Sequence, residues 1–145
     1  MEQNASKRAD SAGSAIVRPD APWHHMFIER VDGAAVARVG DRVLARSTKA
    51  LRVREIGKRA YAPVLYFPPE DVDSEALVPT NVVTTCPLKG SAAAFDIAGD
   101  PVIERGAWSY QRVLDFDRRL TELECCVAFD ASLVEVVVDN EGEER

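Results

Sequence analysis

Residues 84–90 read Thr-Thr-Cys-Pro-Leu-Lys-Gly, setting a thiol three positions from an ammonium, with a proline between them and a glycine behind. A turn there could bring the Lys89 charge and inward backbone N–H groups to Cys86 and favour its thiolate, the nucleophilic form. The same spacing suits a tight turn in which Cys86 is a small buried hydrophobe held by Pro87 and Lys89 stands in solvent. For reactivity the buried reading is favoured, with Cys86 kept as one wall of a pocket. A thiolate nucleophile also needs a base, and the two histidines, His24 and His25, sit at the edge of a segment that reads as a tail.

Glu55 ends the stretch Leu-Arg-Val-Arg-Glu, in which strand alternation puts Leu51, Val53 and Glu55 on one face and Arg52 and Arg54 on the other. An inward carboxylate is either a general acid or base or the partner of an inward cation. Tyr66, Trp108 and Tyr110 can line a ligand slot with their polar tips inward, or simply fill a core. Glu55, Tyr66, Cys86, Lys89, Trp108 and Tyr110 on one barrel mouth would form a polar and aromatic pocket that none of them implies alone.

Two further chemistries fare worse. Asp71 to Asp73 and Asp115 to Asp117 have the Asp-x-Asp spacing of a magnesium-dependent nucleotidyl transferase, yet each sits at a turn or helix-start signal, where aspartate serves as a cap. No phosphate-binding glycine loop accompanies them. Zinc needs spaced cysteine pairs, whereas Cys125 and Cys126 are adjacent and Cys86 is alone. No metal and no cofactor is expected.

The elements that must position these residues are mostly strands. Ala34 to Arg38 and Val43 to Ser47 flank Gly40 and Asp41 as a hairpin, and the stretch Pro63 to Pro69 is a short strand stopped by Pro68 and Pro69. From Ala93 to Tyr110 the pattern is strand, Gly-Asp-Pro turn, strand. Val102, Glu104, Trp108 and Tyr110 share a side there unless Gly106 marks a bulge. Phe116, Leu120 and Leu123 predict one short helix, and Val-rich segments close the chain. Strands without βαβ alternation predict a mainly β fold, a barrel or sandwich with one or two short helices.

A chain of 145 residues fits one domain, predicted over 23–139, with a polar, proline-closed tail over 1–22 and an acidic tail over 140–145. A net charge of −6 argues against nucleic acid as a partner, and no apolar run is long enough to span a membrane. Three cysteines without a disulfide pattern suggest a reducing, cytoplasmic setting. These features favour a small polar or anionic ligand as the partner, with a non-catalytic interaction or scaffold domain as the alternative.

Four segments in order, Tyr66 to Val72, Thr84 to Gly90, Gly106 to Tyr110 and Cys126 to Phe129, resemble the domain of unknown function family 427, also labelled nucleotidyltransferase-like. The Cys-Pro-x-Lys-Gly box is the specific part. The likeness covers about residues 30–138 and implies a small, tent-like open β-barrel; its boxes fall on Tyr66, Pro68, Asp71, Val72, Cys86, Pro87, Lys89, Gly90, Trp108 and Tyr110. Glu55 matches the acidic residue that follows an early strand. The chain departs from the family after its aromatic box, where Gln111 to Leu120 replaces an acidic, proline-containing segment.

Overall fold

The computed structural model describes residues 14–139. Eleven strands are present: β1 (Ile16–Arg18), β2 (Ala21–Arg30), β3 (Ala34–Val39), β4 (Arg42–Ser47), β5 (Leu51–Ile56), β6 (Val64–Tyr66), β7 (Leu77–Cys86), β8 (Gly90–Ile97), β9 (Ile103–Val113), β10 (Val127–Phe129) and β11 (Glu135–Asp139). They form three antiparallel sheets, ordered β1-β2-β5-β6, β10-β9-β8-β7 and β11-β3-β4. The fold is mainly β and sandwich-like, with no sheet closed into a barrel. No helix among the described residues is long and apolar enough to cross a membrane.

Alternation explains the layers. In β5, Leu51 and Val53 are buried and Arg54 is exposed, as the sequence pattern requires. Ile16, Met26, Leu51, Val53, Tyr66, Leu88 and Tyr110 belong to one core cluster, between the first two sheets. A second cluster joins Ala35, Ala37 and Leu44 of the third sheet to Ile97, Val127 and Phe129. Strand β10 serves both: Ala128 points into the first cluster, Val127 and Phe129 into the second. Phe67, just after β6, exchanges two backbone hydrogen bonds of 2.8 Å with Val127, which ties the first sheet to the second.

Three expectations change. Residues 14–22, read as tail, join the fold: Ile16 pairs with Met26 and is buried in the core, and Pro19 and Asp20 make the turn from β1 to β2. Proline there sets a turn instead of a linker. The parts of the predicted tails at 1–13 and 140–145 lie outside the described residues. The predicted helix is a 3-10 helix over Arg118–Leu123, in which Leu120 and Leu123 are buried. Their three-residue spacing suits a 3-10 turn as well as an α-turn. Finally, Asp96 alone stands opposite three residues of β9, a bulge in which Arg105 has φ 51° and donates its N–H to Asp96 Oδ1 at 2.8 Å. Trp108 and Tyr110 lie beyond it and share a face, while Val102 and Glu104 are exposed.

Candidate functional site

Glu55 sits opposite Met26 in the pairing of β5 with β2. His24, two residues before Met26 on the same face, is its diagonal neighbour, within reach of a long side chain. The ring nitrogen Nε2 of His24 lies 2.7 Å from Glu55 Oε2. The other carboxylate oxygen, Oε1, accepts from Lys89 Nζ at 2.7 Å.

Lys89 arrives from the turn between β7 and β8. Cys86 pairs with Gly90 across it, and Pro87, Leu88 and Lys89 form the loop. Leu88 and Lys89 both face inward, and Lys89 is only 4% exposed. Leu114 N–H donates to the Lys89 carbonyl at 2.9 Å and pins the turn to the end of β9. Gly90 has φ +123°, which an L side chain rarely adopts, and a Cβ on it would stand 2.7 Å from the Arg112 carbonyl oxygen. The segment is therefore a tight turn, and the turn delivers a buried charge.

The aromatic residues surround that charge. The Lys89 ammonium lies 5.4 Å from the centroid of the Tyr110 ring, a cation-π contact, and the Tyr66 and Tyr110 centroids are 6.4 Å apart. Trp108 Nε1 donates to the Tyr66 hydroxyl at 3.3 Å. Cys86 and Trp108 are half-buried against the same cluster. All six predicted residues thus gather in one region, and His24, read only as the edge of a tail, completes it. An inward carboxylate on a strand calls for donors on the neighbouring strand, which is the signal that could have found His24.

Cys86 also lines an open cleft of about 480 Å³ between the turn and the end of β9, with Thr85, Pro87, Ser91, Arg112 and Leu114. The other five predicted residues do not line that cleft.

Electrostatics hold the pair ionised. Burial by itself raises the Glu55 carboxyl, but the Lys89 ammonium and the hydrogen bonds from Lys89 and His24 outweigh it and leave the group below its ordinary value of 4.5. Burial likewise works to lower Lys89, and the acidic groups around it, Tyr66, Cys86, Tyr110 and Glu55, reverse that and raise it. Burial raises both tyrosine hydroxyls, so each stays a neutral donor at physiological pH. Because Glu55 is depressed in the folded state, its stabilising contribution is complete above the ordinary carboxylate range and is lost as pH falls through the folded value. Urea titrations are therefore expected to show wild type losing stability relative to Glu55→Gln as pH drops below about 4. A constant gap between the two proteins would contradict this.

The three cysteines are free and differ in exposure: Cys125 exposed, Cys86 half-buried, Cys126 buried. Burial pushes the Cys126 thiol up to about 11. Alkylation of the native protein, followed by peptide mapping, is expected to label Cys125 first and Cys126 last. Labelling of Cys86 ahead of Cys125 would identify it as an activated thiolate.

One aspartate of each Asp-x-Asp pair has structural work. Asp73 accepts from Glu75 N–H at 3.2 Å as the cap of a 3-10 turn, and Asp117 caps Arg119 N–H at 3.0 Å while pairing with the Arg119 guanidinium.

A family model described as a domain of unknown function (DUF427) matches residues 27–140. No curated protein matches the chain. The matched span contains Glu55, Tyr66, Cys86, Lys89, Trp108 and Tyr110, whereas Trp23 and His24 precede it.

Proposed function

The chain belongs to the DUF427 family, and from the geometry of its buried charge cluster we propose that it binds a small polar or anionic ligand beside Lys89. One observation carries the reading. Of the three donors on the Lys89 ammonium, one goes to Glu55, and no other hydrogen bond from it forms among the described residues, where the Tyr110 face, Tyr66 and Cys86 surround it. Burying a charge pair is at best weakly stabilising compared with apolar packing of the same volume, so such a pair in a small core is better explained by use than by stability. Glu55, whose side chain is 18% exposed, and the half-buried Trp108 and Cys86 are where a ligand would enter. An anionic oxygen would accept from Lys89, the Tyr66 hydroxyl could donate to it, and Trp108, Tyr110 and Cys86 would shape the walls. The reading requires no reaction, no metal and no cofactor, and it includes a cytoplasmic setting for a protein whose three thiols are free.

Ligand-observed NMR with a mixture of inorganic phosphate and small aliphatic carboxylates tests it. Signals of at least one component should attenuate with wild type and recover with Lys89→Met. Glu55→Gln, which keeps an acceptor for Lys89, should alter the affinity without abolishing folding. No attenuation, or equal attenuation with Lys89→Met, overturns the reading.

A second reading, a protein-interaction domain, is favoured by β7. It is the outer strand of its sheet, it carries no charged residue, and Val83 on it is 63% exposed. A β7 substitution such as Val83→Lys that abolishes capture of a partner, while leaving NMR attenuation intact, would support that reading.

A further inference from the structure

The second feature of the molecule that invites a ligand lies on the solvent side of His24. Strand β5 leaves the sheet through Gly57, Lys58 and Arg59, and the loop is closed by Gly57 N–H donating to the Arg59 carbonyl at 2.9 Å and Tyr61 N–H to the Glu55 carbonyl at 3.0 Å. This brings Tyr61 back beside His24. A Cβ built on Gly57 would touch both rings, His24 Cδ2 and Tyr61 Cε2, each at 3.4 Å. Trp23 stacks on His24 with centroids 5.7 Å apart and planes at 18°. Trp23 is 54% exposed and Tyr61 42%, so Gly57 sits between the buried His24 ring and the Tyr61 ring at the base of a surface whose outer rings are open to water.

Charge distinguishes this rim from an ordinary aromatic patch. The chain as a whole carries −6, yet Lys58 and Arg59 stand side by side here with no carboxylate partner among the described residues. The Arg59 guanidinium lies 4.9 Å from the centroid of Tyr61, which holds it over the ring. A cation fixed on an aromatic face still has its in-plane N–H donors free for a carboxylate. Exposed rings, a floor without a side chain, and two unpaired cations together match an anion with a flat apolar body.

We propose that this rim binds a planar aromatic carboxylate, with its ring over Gly57 flanked by Trp23 and Tyr61 and its carboxylate on Lys58 and Arg59. The site meets the one proposed around Lys89 only at His24, whose Nε2 holds Glu55 while Trp23 stacks on its ring, and the proposal does not rest on a ligand at Lys89. Benzoate is the probe, with cyclohexanecarboxylate as the anion lacking a π face and benzamide as the ring lacking the charge.

Titration of the ¹⁵N-labelled protein is expected to shift the amides of residues 57–61 and 23–24 with benzoate. Each control should bind about three- to tenfold more weakly, the worth of one aromatic or cation contact. Tyr61→Leu should weaken benzoate by a similar factor, and Gly57→Ala, whose methyl meets only ordinary contacts, should do so without unfolding the loop. Equal binding of benzoate and cyclohexanecarboxylate, no saturable shift, or indifference to both variants overturns the proposal. So does loss of benzoate binding in Lys89→Met with retention in Tyr61→Leu, which would place the anion at Lys89 instead.

Discussion

Replacing Glu55 with alanine is expected to cost about 3–5 kcal/mol of folding free energy, the range for removing one partner of a buried ion pair. Lys89 would be left in the core with the Tyr110 ring but no counter-charge, and it must then give up its proton or break the turn to reach water. The reverse deletion is milder. Lys89→Met leaves Glu55 with the His24 hydrogen bond and some solvent, and its cost should be about 1–3 kcal/mol. The double variant Glu55→Leu with Lys89→Met should recover most of the loss, since a buried pair replaced by apolar groups is often neutral. Urea denaturation of the four proteins measures all of this. A loss from Glu55→Ala of under about 1 kcal/mol would mean that water reaches Lys89 freely, and it would remove the physical basis for a site there.

The second large effect is expected at Gly90. Its alanine variant combines a backbone angle of +123° with a methyl 2.7 Å from the Arg112 carbonyl oxygen, an atom that the β8 and β9 ladder cannot move aside. The expected loss is about 3 kcal/mol or more, most of it backbone strain. Gly40 is the control. It has φ +60° at a hairpin turn but no atom within 4 Å of its would-be Cβ, so Gly40→Ala should cost only about 1 kcal/mol. Equal losses at the two positions would show that close approach contributes nothing at Gly90. Because Gly90 follows Lys89, its substitution should also loosen the ammonium from Glu55, which the acid limb of the stability profile would register.

Much of this was legible in the sequence where one side chain per residue decides the face. The alternation through Leu51, Val53 and Glu55 places the carboxylate inward, and the Gly40 hairpin and the shared face of Trp108 and Tyr110 follow from the same period of two. The failures come where local signals have two meanings. Pro19 and Pro22 fit a linker as well as the start of a hairpin, and only the pairing of Ile16 with Met26, a tertiary fact, separates them. Leu120 and Leu123 are three apart, a spacing common to α and 3-10 turns, and the chain leaves the helix through Cys125 at φ 66°. Lys89 could stand in solvent or in the core on the strength of the turn alone; the choice is made by Glu55, 34 positions away. His24 escapes notice for the same reason, because a histidine at the edge of an apparent tail gives no local sign of the carboxylate that it meets.

Strand β10 is three residues long, yet both apolar clusters close on it, one on each face, while its edges are held by β9 and by Phe67. Neither half of the protein can therefore open without exposing Ala128 or its neighbours. The two clusters should melt as one cooperative unit, and the amides of Val127 to Phe129 should exchange with solvent only through global unfolding. The slowest-exchanging amides would then belong to one of the shortest strands in the molecule. Glu55 and Lys89 lie in the first cluster's territory, so a ligand that steadies them would slow exchange at β10, and through it would protect the distant sheet of β3, β4 and β11 as well.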